Sequence, residues 1–508
     1  MHSIVLLNPP VVRPSEPPAG LARLCGVMKK NGVECAAVDL NIEGLLHLME
    51  GREGAAAPAD RWTARAAKNL TANLSLVRGS RALDNADAYR KAVLELDRLA
   101  SRAHSRPGVR LGLTDYKDDS LSPLRSGDLL RAAREYTSNP FFPFFSNRIS
   151  GPLAKSDFAG ISVNYLGQAL SAFAIAGFIR AEFPEVRIIM GGGLITSWLS
   201  RPGWQGPFSG VVERFVAGPG EGALLSLLGV ERPITECPPD YSPFPLSSYL
   251  SPGPVLPYSA SSGCWWRKCS FCPEKAEAGA YVPVAPSRAL REIKGLVALE
   301  RPALVHFLDN ALSPAFLEEI IKDPPGAPWY GFARITRHLT DPGFCRSLKD
   351  SGCTMLKLGI ESGDQGVLDR LNKGIDLGVA AAALKALRGA GIETYVYLLF
   401  GTPPENEEAA RNTRDFVLAN RDGIGFLNLA IFNLPIDSED GAGLEKREFY
   451  EGDLSLYADF RHPLGWDRRV VRRFLDREFR REPAIAEILR RDPPLFTSNH
   501  AAFFSRFN

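Results

Sequence analysis

The spacing of apolar and polar positions along this chain predicts two runs of strand, turn and helix on either side of a proline-rich stretch. Residues 3–7 (SIVLL) form a short apolar run that stops at Asn8-Pro9-Pro10, the signature of a buried strand. Residues 21–31 carry helical periodicity closed by Asn31-Gly32, and residues 34–40 (ECAAVDL) make the next strand, with Asp39 near its end. This strand-helix-strand unit opens an α/β domain. A helical insertion interrupts it over about residues 42–155, with helices expected at 59–76, 86–103 and 127–136. The insertion ends in NPFFPFFSN (139–147), whose phenylalanines are expected to pack against the domain. Strands follow at 158–163, 186–190 and 211–217, with a small-faced helix at 166–183 and a short one at 223–228. The second strand runs into Gly191-Gly192-Gly193 and the third into Gly218-Pro219-Gly220-Glu221-Gly222. Such turns lie at the carboxyl edge of a parallel sheet, where open α/β sheets bind ligands, although neither is a phosphate or dinucleotide fingerprint.

Residues 231–257 are rich in proline and serine and read as a linker, and a second alternation follows. Strands are expected at 304–308, 329–334, 355–360, 394–400 and 425–434, with helices at 314–322, 341–351, 365–371 and 407–420. Polar residues close the strands: Asp309-Asn310, Glu361-Ser362-Gly363 and Gly401-Thr402-Pro403-Pro404-Glu405. Repeated βα units of this kind describe a barrel or partial barrel whose active mouth is its carboxyl face. The chain turns charged and aromatic near residue 439, and residues 466–491 form an Arg-rich amphipathic helical region read as a solvated face. His500, between a turn and an aromatic run, reads as a packing or surface residue.

At 508 residues the chain has room for two to four domains. A hydrophobic fraction of 45%, a charged fraction of 23% and a net charge of +2 are those of an ordinary globular protein. They leave no electrostatic footprint for nucleic acid or an anionic membrane. With neither a secretory leader nor a spanning segment in view, a cytoplasmic location is expected. Five of the eight cysteines (Cys25, Cys35, Cys237, Cys345 and Cys353) are scattered, which argues against a disulfide framework.

The other three, Cys264, Cys269 and Cys272, share the loop SGCWWRKCSFCPE at 262–274. Thiolates this close converge on one metal centre with little loop-closure entropy. Three without a nearby fourth suit a cubane iron–sulfur cluster with one iron open to a ligand, whereas structural zinc wants a fourth Cys or His. The bland alternative is chance clustering of buried cysteines, which a loop rich in Gly, Trp, Lys and Arg disfavours.

Together with FLDN (307–310), GFAR (331–334), GIESGDQGVLDRLNKG (359–374) and AGIETYVYLLFGTPPE (390–405), this loop resembles the radical S-adenosylmethionine (SAM) superfamily. The N-terminal segments NPP, PPAGLARL, VDLN, GISVN, GGG and AGPGEGALL resemble the strand-end loops of that superfamily's cobalamin domains. The resemblance implies an α/β fold: a doubly wound Rossmann-like, cobalamin-binding-like domain at 1–235, a linker at 236–257, a partial (β/α)6 TIM-type radical SAM barrel at 258–440, and a mainly helical region at 441–508. It implies a [4Fe–4S] cluster on Cys264, Cys269 and Cys272, reduced by an external ferredoxin or flavodoxin, that cleaves SAM to a 5′-deoxyadenosyl radical. By the same resemblance Phe271 lies against the adenine, Asp309 meets the methionine amino group, Arg334 its carboxylate and Glu361 the ribose hydroxyls. Pro10, Gly20, Asp39, Asn164, Gly192, Gly193, Gly220 and Glu221 would then contact cobalamin.

Two departures stand out. Four residues, Trp265 to Lys268, separate the first two cysteines where the superfamily has three, and no Asp-x-His-x-x-Gly offers cobalt a histidine. A bound cobalamin would lack a protein histidine below it, or the domain would have kept its fold and lost the cofactor. The implied activity is methyl transfer to an unactivated carbon or phosphorus, one SAM methylating cobalamin and another supplying the radical. The alternatives are radical modification of a peptide or natural product without methyl transfer (the GCWW loop is similar to that of peptide-maturing radical enzymes) and a non-catalytic metal- or cobalamin-binding protein. The substrate is expected to be a small molecule or peptide, and no catalytic residue can be named.

Overall fold

The computed structural model describes residues 2–51, 60–104, 106–276, 279–436, 438, 441, 443–447 and 452–506. The start expected for the first insertion helix, residue 59, lies outside them. The chain divides into two compact units, Met1–Val255 with Tyr450–Leu456 and Leu256–Phe449 with Tyr457–Asn508.

The first unit is built on β1 (Ile4–Asn8), β2 (Cys35–Asp39), β3 (Phe158–Ser162), β4 (Arg187–Gly191) and β5 (Arg214–Phe215). All five residues of β1 are buried, as its unbroken apolar run requires of a central strand covered on both faces. The strands pair in the order β2-β1-β3-β4-β5, every pair parallel. The order reverses between β1 and β3, so the sheet is doubly wound, with its ligand-binding crevice at the carboxyl ends of those strands. β5 is far shorter than the expected 211–217, because Val211 and Val212 close a turn onto the Phe208 carbonyl at 3.2 and 3.1 Å.

Helices Arg61–Lys68, Leu70–Val77, Ala86–Arg102, Ser126–Arg134 and Phe142–Leu153 fill the insertion, with a hairpin at Val109–Leu111 and Tyr116–Asp118. The aromatic run starts its helix with a proline in the first turn, where no donor is lost, and Phe141 and Phe145 are fully buried. Helix Ser126–Arg134 lies directly on Leu166–Glu182: a Cβ on Gly177 would fall 1.8 Å from the Ala133 carbonyl oxygen. The small face expected on that helix is therefore a helix-packing surface. The proline-rich stretch expected as a linker is folded onto this unit. Tyr241, Tyr249 and Leu250 are buried, Arg23 donates to the carbonyls of Thr235 and Cys237, and a Cβ on Gly26 would meet the Pro238 carbonyl oxygen at 2.2 Å.

The second unit holds β6 (Val255–Tyr258), β7 (Leu304–Leu312), β8 (Trp329–Ala333), β9 (Cys353–Glu361), β10 (Glu393–Phe400) and β11 (Phe426–Ile431). They form one six-stranded sheet in the order β11-β10-β9-β8-β7-β6, parallel from β7 to β11, which makes a partial barrel of the TIM type. Helices Pro314–Lys322 and Pro342–Asp350 begin where Ser313 and Asp341 accept backbone N–H bonds from Phe316 and Phe344. Two helices, Pro286–Glu300 and Leu377–Gly389, were not expected, nor was β6 within the proline-rich stretch.

The C-terminal region is not wholly helical. Leu434–Pro435, Lys446–Arg447 and Tyr457–Phe460 form a small antiparallel sheet before helices Arg468–Arg477 and Pro483–Arg491. The Arg-rich helix buries Val471, Phe474 and Leu475, as a solvated amphipathic helix does. Past it, the tail reaches the amino ends of the barrel strands: Tyr395 Oη donates to Asp492 at 2.8 Å and Tyr330 Oη to the Asn499 carbonyl at 3.3 Å. His500 is buried, stacked 4.1 Å from Phe496. The tail therefore closes the end of the barrel opposite the strand carboxyl ends.

Arg506 fixes that closure with three bonds of 2.7–3.1 Å to the Glu393 carboxylate, which is 1% exposed. Room for it is made by Gly425, whose Cβ would lie 2.0 Å from Glu393 Oε1. Replacing Arg506 by Met leaves a buried carboxylate unpaired and is expected to destabilise this unit by about 2 kcal/mol, allowing for the exposure of the guanidinium. Urea unfolding checks this; an unmoved midpoint contradicts it.

Candidate functional site

The cysteine loop leaves the barrel just after β6 and is fastened before its first cysteine. Asp309 Oδ2 accepts from the Ala260 N–H at 2.9 Å and Oδ1 from Ser261 Oγ at 2.5 Å. Ser261–Ser262 then pairs antiparallel with Val282–Pro283. Gly263 turns the chain with φ +72°, and a Cβ there would meet the Ala280 carbonyl oxygen at 2.5 Å, so only glycine fits. Asp309 was expected at a strand end. It lies instead within β7, at an irregularity where the register to β8 slips between Phe307 and Leu312. Its carboxyl is 3% exposed, and burial pushes it up against the hydrogen bonds that hold it down.

Beyond Cys264 the loop is pinned to residues 371–374, the turn after helix Gln365–Arg370. Trp266 Nε1 donates to the Asn372 carbonyl at 3.2 Å, and the Ser270 N–H donates to the Leu371 carbonyl at 3.0 Å. The indole occupies the space a side chain at 374 would need: a Cβ on Gly374, whose φ is +62°, would lie 2.3 Å from Trp266 Cζ2. Arg334, 9% exposed at the end of β8, stacks on that indole with its guanidinium carbon 3.8 Å from the ring centre. Its Nη2 donates to the carbonyls of Lys373 and, at 3.0 Å, Gly374. Phe271 packs on Val367, Leu371 and Ala409, with Lys373 Nζ 5.5 Å above its ring.

Glu361 ends β9 in the left-handed region at φ +70°, and its Oε1 accepts from Lys373 Nζ at 2.8 Å. Gly359 makes room for this pair, since a Cβ there would lie 2.4 Å from Glu361 Oε1. A glutamate held at positive φ is strain that its surroundings must support. Arg334, Lys373 and Glu361 all act electrostatically on Cys269, whose thiol burial pushes up and the two cations pull down. Phe271, Arg334 and Glu361 are thus gathered with the cysteine loop through residues 371–374, while Asp309 holds its entrance.

All three cysteines are half-buried. Among the described residues no three His, Cys, Asp or Glu side chains are drawn together as ligands of a single ion. A cubane does not ask for that, because each thiolate binds a different iron. Three thiols in a loop flanked by two cations fit an anionic cluster.

Lys373, Trp266 and Gly374 were present in the motifs, but their roles were not assigned. Lower on the same face of β9 as Glu361, Lys357 Nζ lies 2.8 Å from His306 Nε2, and His306 stacks on Tyr330 at 4.3 Å. After β10, Glu405 is fully buried, accepting from the Gly401 N–H and, at 2.9 Å, from Trp466 Nε1. Burial pushes its carboxyl up to about 8.

In the first unit, the residues singled out for cobalamin lie at the carboxyl edge of its sheet. Asp39 is 2% exposed and fully engaged: it accepts from Asn8 Nδ2 at 2.8 Å, the Asn41 N–H at 3.0 Å and Tyr249 Oη at 2.6 Å. Its carboxylate is therefore a strut joining β2, β1 and the folded-back stretch. Pro10 is buried, and Glu221 pairs with Arg23 at 3.1 Å. Asn164 is exposed, its Oδ1 accepting from the Gly193 N–H at 3.0 Å, and Gly192 sits at φ +105° where a Cβ would meet the Val163 carbonyl oxygen at 2.6 Å. Nothing within 4 Å would meet a Cβ on Gly20, and Gly193 and Gly220 have only ordinary contacts. Glycines with free space at this edge would let a ligand approach the backbone.

Residues 258–417 match the family described as the Radical SAM superfamily. This part of the chain is a radical SAM domain. Such a domain implies a [4Fe–4S] cluster and SAM. The structure is also similar to the radical SAM methyltransferase TsrM from Kitasatospora setae, solved with cobalamin and a [4Fe–4S] cluster: TM-score 0.53, 16% identity, covering 89% of this chain and 81% of that one. TsrM solved with its tryptophan substrate and a SAM analogue gives the same TM-score and identity, covering 89% of this chain and 79% of that one. OxsB, a cobalamin-dependent SAM radical enzyme solved with aqua-cobalamin, matches with TM-score 0.50 and 14% identity over 87% of this chain and 55% of its own length. These likenesses establish a shared fold. No curated protein sequence matches the chain. No helix among the described residues is long and apolar enough to cross a membrane.

Glu405 generates a pH test. The folded radical SAM domain holds this proton to about pH 8, whereas an unfolded glutamate releases it near 4.5. The native state therefore binds more protons between those values, and stability falls as pH rises through that window. Glu405→Gln keeps an acceptor for Gly401 and Trp466 and is expected to flatten the slope in unfolding followed from pH 5 to pH 9. An unchanged slope contradicts the assignment.

Proposed function

We propose that this chain is a cobalamin-dependent radical SAM methyltransferase, acting on an unactivated carbon or phosphorus centre of a small molecule or peptide. The observation that carries the reading is the pairing, in one chain, of a three-cysteine loop on a partial barrel with a doubly wound α/β unit whose carboxyl edge is open. The likeness to TsrM over 89% of the chain supports it.

In the barrel Cys264, Cys269 and Cys272 would hold the cluster, Phe271 would offer its ring to the adenine, and Glu361 would meet the ribose. Bound there, the cluster and SAM supply one-electron cleavage of a sulfonium to a carbon radical. The face of β7 to β10 below Glu361, bearing His306, Tyr330, Phe332, Lys357, Tyr395 and Tyr397, would take the substrate and exclude water around the radical. In the first unit Gly20, Asn164, Gly192, Gly193 and Gly220 would support cobalamin, which carries the methyl group. Asp39 and Pro10 would shape that edge from beneath it, and Glu221 would brace it through Arg23. Electrons would come from a ferredoxin or flavodoxin in the cytoplasm. A second reading is radical chemistry without methyl transfer; the likeness to OxsB, described as a cobalamin-dependent SAM radical enzyme, supports the two cofactors and leaves the reaction open.

Anaerobically reconstituted chain with SAM and a strong reductant is expected to release 5′-deoxyadenosine, and the triple change of Cys264, Cys269 and Cys272 to Ala to release none. Undiminished product from the triple variant would sink the assignment. Chain produced with cobalamin supplied should carry a corrinoid visible spectrum; its absence defeats the methyl-transfer reading and leaves radical cleavage standing.

A further inference from the structure

A buried guanidinium costs several kcal/mol of desolvation unless an anion or a full set of acceptors offsets it. Arg334 has no ion-pair partner among the described residues: two carbonyls and the Trp266 indole hold it. Lys373, another cation at this place, is already paired with Glu361 at 2.8 Å. Burial pulls the Arg334 guanidinium down, and the nearby sulfurs of Cys269 and Cys264 and the Glu361 carboxylate act the other way. A thiolate-bound cluster in this loop would supply the counter-charge that Arg334 lacks.

Trp266 fixes where that charge stands. Its ring centre is 4.9 Å from the Lys268 ammonium and 3.8 Å from the Arg334 guanidinium, with its N–H tied to the Asn372 carbonyl. Reaching residues 372–374 takes chain length. The spacer of Trp265 to Lys268 has one residue more than the superfamily pattern, and Arg267 turns it through φ +49°. That spacer carries the Trp266 indole to the turn at 372–374, where it stacks on Arg334.

We propose that Arg334 is a positioning residue for the cluster rather than a partner of the methionine carboxylate, raising the cluster's reduction potential through its charge beside Cys269, and that Trp266, delivered by the lengthened spacer, holds it there. A cation near an iron–sulfur cluster favours the reduced, more negative state. The inference rests on the three cysteines being cluster ligands.

The test uses the full chain, anaerobically reconstituted, in four forms: unaltered, Arg334→Met, Trp266→Ala and Trp266→Phe. The midpoint potential is followed by electron paramagnetic resonance, and iron content and SAM affinity are measured on each sample. Arg334→Met is expected to disfavour reduction by about tenfold, a fall of about 59 mV for a one-electron couple. Trp266→Ala should move the potential the same way, and Trp266→Phe, which keeps a ring under the guanidinium, should stay nearer the unaltered chain. An unshifted potential in Arg334→Met at equal iron content overturns the proposal, as does an unshifted potential with SAM affinity weakened tenfold, the mark of a carboxylate partner. If Arg334→Met holds no iron, the tryptophan pair decides, and equal potentials in Trp266→Ala and the unaltered chain overturn it. Failure of the unaltered chain to take up iron defeats the cluster reading itself, before Arg334 is at issue.

Discussion

A loop that presents three sulfurs to a metal cluster has little regular hydrogen bonding of its own, so it must be held from outside. Here it is held at both ends. Asp309 reaches from β7 to the backbone at Ala260 and the hydroxyl of Ser261, and residues 371–374 receive Trp266 and Ser270. Each anchor depends on a backbone that other residues could not adopt: Gly263 at one end and Gly374 at the other, both at positive φ with no space for a Cβ. The entropy of ordering the loop is met by the barrel.

The same turn gathers the charges. Residues 372–374 supply one carbonyl to Trp266 and two to Arg334, and Lys373 supplies an ammonium to Glu361, so a short stretch fixes the tryptophan, the arginine and the strained glutamate together. Glu361 is kept at φ +70° by this pairing, and Gly359 leaves the pair its space. Strain concentrated at a strand end that faces a cluster loop is where binding energy for a cofactor is expected to be spent. At the other end of the barrel, Arg506, Asp492 and Asn499 close the strand amino ends, which leaves the carboxyl ends as the mouth.

Much of this was legible in the amino-acid order. The runs at 3–7 and 394–400 mark strands because apolar stretches that stop at a proline or glycine turn have few other solutions, and three cysteines in one loop announce their chemistry by spacing alone. What escaped was of a different kind. Asp309 lies within a strand because β7 slips register, and a slip leaves no mark on periodicity. The proline-rich stretch looked like a linker because proline reports local backbone and says nothing of where Tyr241 and Tyr249 pack. Asp39, offered as a ligand contact, is an internal strut, and only the positions of Asn8 and Tyr249 reveal it. Trp266 sat in plain view, yet its partners come from a turn about a hundred residues away.

The central claim is that the loop holds a cluster with one iron left open to SAM. Mössbauer spectroscopy of 57Fe-reconstituted chain, with and without SAM, tests it most directly. The account predicts about four irons per chain, with one set apart from the other three and altered when SAM is added. Stoichiometric zinc in place of iron, or irons that respond identically and ignore SAM, would contradict it.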